Sequence, residues 1–206
     1  MKRFMFVLLV AAMMLVLVSP LYAKGVMFGL KGGLSEANLS GDAVTNNSYK
    51  PGLVAGAFMS YDITSIFSIQ PEGLFVMKGA KFDSAGVTAK DKINYIEIPI
   101  LLKVNLPVGG NIRPSIYAGP TFNFLVTAKV SDGEEIDIKD QVASTDIGLV
   151  AGAALAYQME SASIFVEGRY DVGFMTIVKD ADAVTGDKAD ITNSGFQFMV
   201  GFGVGF

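Results

Sequence analysis

The stretch Asn94–Leu106, NYIEIPILLKVNL, carries Ile96, Ile98, Ile100, Leu102, Val104 and Leu106 at every second position. Between them stand Tyr95, Glu97, Pro99, Leu101, Lys103 and Asn105. A period of two puts these sets on opposite faces of an extended strand. A helix would scatter the aliphatic groups around its circumference. The rhythm returns at Val26–Ala37, Gly52–Tyr61, Ile66–Ala80, Arg113–Val126, Asp146–Gln158, Ile164–Phe174 and Gly195–Phe206. The last of these, GFQFMVGFGVGF, is the strictest: Phe196, Phe198, Val200, Phe202, Val204 and Phe206 alternate with Gly195, Gln197, Met199, Gly201, Gly203 and Gly205. Eight such segments predict an all-β fold, an up-and-down antiparallel barrel. Ten strands can be drawn only by splitting the long connections.

Those connections come in two kinds. Asp62–Ser65, Pro107–Asn111 and Met159–Ser163 are short turns. Asn38–Pro51, Lys81–Lys92, Lys129–Ala143 and Lys179–Asn193 are longer and polar. They alternate along the chain, as a meander requires if all long loops lie at one end.

Period two fits a soluble barrel with its apolar face inward and a membrane barrel with that face outward. Composition favours the second. The chain is 51% hydrophobic and only 17% charged, with a mean hydropathy of +0.45, whereas soluble domains carry about a quarter charged residues. Hydrocarbon offers no hydrogen bonds, so every strand amide must be paired and only a closed sheet can cross it. Segments of this length reach across a bilayer when tilted. Tyr61, Tyr157, Phe174 and Phe196 stand near segment ends, where interfacial aromatic girdles form.

The chain opens MKRFMFVLLVAAMMLVLVSPLYAK. Lys2 and Arg3 precede an apolar run of 15 residues, Phe4–Val18, then Ser19, Pro20 and the small Ala23. This order predicts a secretory signal peptide over 1–23 and a barrel domain over 24–206. The run is short of the roughly 20 residues that a spanning helix needs. Removing Lys2 and Arg3 takes the net charge from −4 to −6, which disfavours nucleic acid as a partner.

The polar face collects charge. Glu72, Lys78, Glu97, Lys103, Arg113, Glu167, Arg169 and Asp171 all fall on it. In a barrel they project into the lumen, where they must be paired or hydrated. They are expected to form a salt-bridged plug, since about eight strands leave room only for side chains. The alternative is the selectivity lining of a small porin-like channel for ions or small solutes. No catalytic residue, metal site or cofactor is expected. The chain has no histidine and no cysteine, so Ser-His and cysteine nucleophiles are impossible, and the glycines of GLKGG follow strand rhythm without opening a helix. Two long connections are acidic: KVSDGEEIDIKD (Lys129–Asp140) holds five acids against two bases, and KDADAVTGDKAD (Lys179–Asp190) four against two. They are expected to be solvated loops, with divalent-cation bridging to lipopolysaccharide as the sharper reading.

The stretch YIEIPILLKV (Tyr95–Val104) followed by YAGP (Tyr117–Pro120) resembles the outer-membrane beta-barrel family common in Bacteroidetes, which includes PorT-like proteins. GLKGGLSEANLSG (Gly29–Gly41) and FVEGRYDVG (Phe165–Gly173) fit the same resemblance. It implies residence in the bacterial outer membrane, with extracellular long loops and periplasmic termini, surrounded by lipid and lipopolysaccharide. Bacterial outer-membrane barrels also end their last strand on phenylalanine with aromatic or apolar residues at alternate positions. Phe198, Phe202, Val204 and Phe206 match that pattern, implying recognition by the barrel-assembly machinery. Function is expected to be structural in the envelope or mediated by the loops. A PorT-like accessory role in protein secretion, with an envelope protein partner, is a further alternative.

Overall fold

The structure, a computed structural model, describes residues 25–40, 47–84, 87–132, 134–176 and 191–205. The predicted signal segment 1–23, the acidic stretch Lys179–Asp190 and Phe206 lie outside the described residues. The strands are β1 (Val26–Ser40), β2 (Asn47–Asp62), β3 (Phe67–Lys78), β4 (Ala80–Ser84), β5 (Val87–Asn105), β6 (Ile112–Asp132), β7 (Glu134–Asp137), β8 (Thr145–Gln158), β9 (Ala162–Gly173) and β10 (Thr192–Gly205).

Eight of them close a ring. β1 pairs with β2, β2 with β3, β3 with β5, β5 with β6, β6 with β8, β8 with β9, β9 with β10, and β10 returns to β1, all antiparallel. The closing seam runs from Met27 opposite Gly205 to Ser40 opposite Thr192. The ring has no free edge, as hydrocarbon demands.

The other two strands correct the expected loops. β4 continues the path of β3 beyond Gly79, whose φ of +127° only glycine adopts freely, and pairs with both β2 and β5. β7 folds back on the end of β6. Much of Lys81–Lys92 and Lys129–Ala143, expected as loop, is therefore hairpin. Apolar alternation stops where the lipid stops, whereas backbone pairing continues as long as a neighbouring strand offers partners.

Residues 63–66, 106–111 and 159–161 form the short turns. In the first, Thr64 Oγ1 accepts from the amides of Ile66 and Phe67 at 3.2 and 2.9 Å. The Asp62 amide donates to Gly25 O and the Gly205 amide to Ser161 O, both at 2.9 Å. Both ends of the described barrel thus lie at the turn end, opposite the loop end.

The apolar face points outward. Phe198 and Val200 are 59% and 63% exposed, while Gln197 between Phe196 and Phe198 is 1% exposed. Leu30, Leu34, Leu53, Leu102, Ile116, Leu155, Ile164 and Val166 join the same belt. It far exceeds the few hundred Å² of contiguous apolar surface that a water-soluble monomer shows, so its stable solvent is lipid. No helix among the described residues is long and apolar enough to cross a membrane; the strands make the crossing. Tyr61 and Tyr157 are exposed toward the turn end, Phe174 and Phe196 toward the loop end, as girdle residues should be.

Candidate functional site

Because successive side chains alternate in direction, the inner face of each strand projects toward one axis. Charges from strands far apart in sequence therefore meet at mid-lumen. Lys31 on β1 reaches Glu72 on β3 at 2.6 Å and Glu167 on β9 at 2.7 Å. Arg169 on β9 crosses to Glu72 Oε2, with Nη1 at 2.7 Å, and lies 3.8 Å from Glu97 Oε2 on β5. Lys78 on β3 pairs with Glu97 Oε1 at 2.6 Å and also with Asp171 on β9.

Gln197 on β10 ties the two halves of this cluster together. Its Oε1 accepts from Arg169 Nε and Nη2 at 2.9 and 2.7 Å, and its Nε2 donates to Glu97 Oε2 and Asp171 Oδ2 at 3.2 Å each. Gln70 adds a bond from Nε2 to Glu72 Oε1 at 2.7 Å. The charged side chains of the ion pairs are at most 2% exposed. Buried charges survive only when paired and hydrogen-bonded, and here nearly every carboxylate oxygen meets a donor. Five strands are cross-linked through the lumen, which leaves no water-filled bore at this level.

Aromatic layers bracket the network. On the turn side, Lys31 Nζ lies 5.8 Å from the Phe58 ring centroid, and Phe58 meets Phe165 edge to face at 5.4 Å. On the loop side, Lys78 Nζ lies 6.0 Å from the Tyr95 ring. Tyr95 packs with Ile93, Ala128 and Val142, and Leu125, Ile138 and Ile191 close around them. Ile138 and Val142 come from the connection between β7 and β8, held inward by Ile138 N donating to Ala128 O at 3.0 Å and Leu125 N to Ser144 O at 2.9 Å. The lumen also receives apolar side chains the charge pattern did not announce: Val54, Leu74, Val76 and Met199 in one group, Leu101, Tyr117, Val150 and Ala154 in another.

Of the eight charges expected to share the lumen, the structure brings six together: Glu72, Lys78, Glu97, Glu167, Arg169 and Asp171. Lys103 hydrogen-bonds to the cluster only through Gln70 Oε1 at 3.5 Å, though it lies within the electrostatic reach of Glu167, Lys31 and Glu72. Arg113 does not belong to it. It stands near the start of β6, where the side chain is exposed, because the strand at that point has passed the level at which the lumen closes. Lys31 and Gln197 are members that the charge pattern left out. Among the described residues no group of acids, histidines or cysteines has the arrangement of a metal site.

A closed ring of antiparallel strands with lipid-facing aliphatics outside and a polar, packed lumen matches a known domain. The model of the outer membrane protein beta-barrel domain matches residues 19–179. The chain belongs to this family. It is an integral outer-membrane barrel of the small eight-stranded type. Neisserial surface protein A is similar in structure, with a TM-score of 0.53 at 13% identity, over 87% of this chain and 97% of that one. OprG from Pseudomonas aeruginosa follows at 0.49 and 14% identity, over 89% and 97% of the two chains, and Ail of Yersinia pestis at 0.47 and 12%, over 89% and 99%. At 13% identity the likeness to neisserial surface protein A is one of fold alone. No curated protein sequence matches the chain.

Proposed function

We propose that this barrel is a sealed, non-enzymatic element of the outer membrane, acting through its bulk in the envelope and through its exposed long connections. The observation that carries this reading is the crossing of the lumen by Arg169, Glu72, Glu97, Gln197, Lys78 and Asp171, all 4% exposed or less. A channel needs hydrated charges along a continuous bore; these charges spend their hydrogen-bonding capacity on one another.

The same reading places the long connections outside the cell and the turn end in the periplasm, with residues 1–23 removed as an export signal. The acidic stretch Lys129–Asp140 then faces the lipopolysaccharide layer, where divalent cations can bridge it to phosphate. A strain lacking the protein should lose resistance to detergents and bulky dyes, and complementation by the full chain should restore it. Unchanged resistance, together with capture of one envelope protein by crosslinking in whole membranes, would point instead to an accessory role in secretion.

A further inference from the structure

The lumen is not filled along its whole length. Between the ion network and the turn end a hollow of about 530 Å³ remains, within the range of small-molecule sites. It opens among the short turns, and its deepest lining is Gln70, Phe58 and Phe165, on the turn side of the ion network.

Its lining combines three chemistries. Phe58 and Phe165, in edge-to-face contact, give an apolar wall. Ser115 and Ser163 are each 3% exposed and line the same hollow. Four charged residues also border it: Asp62, Lys103, Arg113 and Glu160. Asp62, Arg113 and Glu160 are exposed at the mouth, where water weakens their field without abolishing it at contact range. Lys103 alone is set back from the mouth and half-buried. Lys31 makes two ion pairs of 2.6 and 2.7 Å, whereas the one hydrogen bond of Lys103 Nζ among the described residues is to Gln70 Oε1 at 3.5 Å, and the carboxylates of Glu167, Glu72 and Asp62 act on its charge without a direct ion pair. An ammonium group has three donors; one reaches Gln70, and the group borders a cavity whose lining also holds hydroxyls and an aromatic pair.

We infer that this hollow is a binding site, open to the turn side, for a small organic monoanion: a carboxylate on an apolar body about one ring in size. The carboxylate sits on Lys103 with the Ser115 and Ser163 hydroxyls beside it, the body lies against Phe58 and Phe165, and Arg113 draws the anion to the mouth. The acids at the rim, Asp62 and Glu160, disfavour dianions. Calorimetric titration of the refolded chain in lipid nanodiscs tests this, with empty discs as the blank and phenylacetate and phenylacetamide as probes. Phenylacetate should bind saturably at one site, and the uncharged amide about tenfold more weakly or worse, since a charge-assisted hydrogen bond in a half-buried site separates them. Lys103→Gln should abolish the preference for the acid. Arg113→Gln should leave folding intact, since the residue lies outside the ion network, and should weaken phenylacetate binding several-fold. Equal binding of acid and amide, or no saturable binding of phenylacetate at millimolar concentration, overturns the site without reference to any variant.

Discussion

Arg169 and Glu72 are 97 positions apart in sequence, yet Nη1 of the arginine lies 2.7 Å from Oε2 of the glutamate, with both side chains fully buried. The contact spans the lumen from β9 to β3. It exists because closure through the seam of β1 and β10 brings distant strands onto one axis. Arg169→Gln would strip the cation from Glu72 and Glu97 at once. Removing one partner of a buried pair costs about 3–5 kcal/mol, since the other charge stays desolvated. Urea unfolding of the refolded barrel in vesicles should show a loss of that order, and Glu72→Gln with Arg169→Gln should cost clearly less than the two single losses combined. A loss below about 1 kcal/mol for Arg169→Gln is the behaviour of an exposed pair and would contradict the packed lumen.

Gly201 is a matter of space. A Cβ there would run into the Phe165 ring, with ring carbons at 2.7 Å. Gly201→Ala should therefore push Phe165 off its contact with Phe58 and cost about 1–3 kcal/mol, the usual penalty of overpacking. Combining it with Phe165→Leu should cost less than the two changes added together. Strict additivity in the same unfolding assay would mean that the glycine and the ring do not meet.

Val200 and Ile136 are equally exposed, at 63% each, but in different surroundings. Val200 lies mid-strand in β10, opposite Gly32 and Val166. Ile136 lies in β7, beyond the apolar belt. Arginine at Val200 should cost about 2–4 kcal/mol in vesicles, the penalty for a lipid-facing charge near the midplane, whereas Ile136→Arg should stay within about 0.5 kcal/mol. Equal effects at the two positions would argue against the assigned lipid face.

Asp146, at the start of β8, holds the chain as it leaves β9. Its Oδ1 accepts from the Met175 amide at 3.2 Å and its Oδ2 from Asn123 Nδ2 at 3.4 Å. Asp146→Ala should free the Met175 amide, raising its hydrogen-exchange rate while amides of the closing seam between β1 and β10 keep theirs. An unchanged rate at Met175 would show that other contacts hold this segment.

The alternation of Asn94–Leu106 and of the C-terminal segment marked the strands plainly, because lipid on one side and packed lumen on the other impose opposite chemistry on successive residues. Lys31 escaped for a physical reason. Its neighbours on the inner face of β1 are Gly29, Gly33 and Ser35, too small to raise a polar signal, and its partners lie on β3 and β9. Alternation puts Arg113 on the polar face but says nothing of its depth along the axis, which sets it at the turn-end rim, away from the ion network. The hairpins of β4 and β7 are hidden in the sequence, since their pairing is between backbones and polar sequence does not reveal it. Nor could the inward fold of Ile138 and Val142 be seen: two aliphatics in an acidic stretch look like loop residues until Tyr95 and Ile93 are placed beneath them.

The most direct test of the sealed lumen is the current through a planar lipid bilayer carrying the refolded chain, once its gel mobility has been seen to shift on boiling. The account predicts a silent membrane for the native chain, and conductance steps only after the network is cut, as in Glu72→Ala with Arg169→Ala. Stable, salt-dependent steps from the native barrel would contradict it, and would make the lumen charges the lining of a channel.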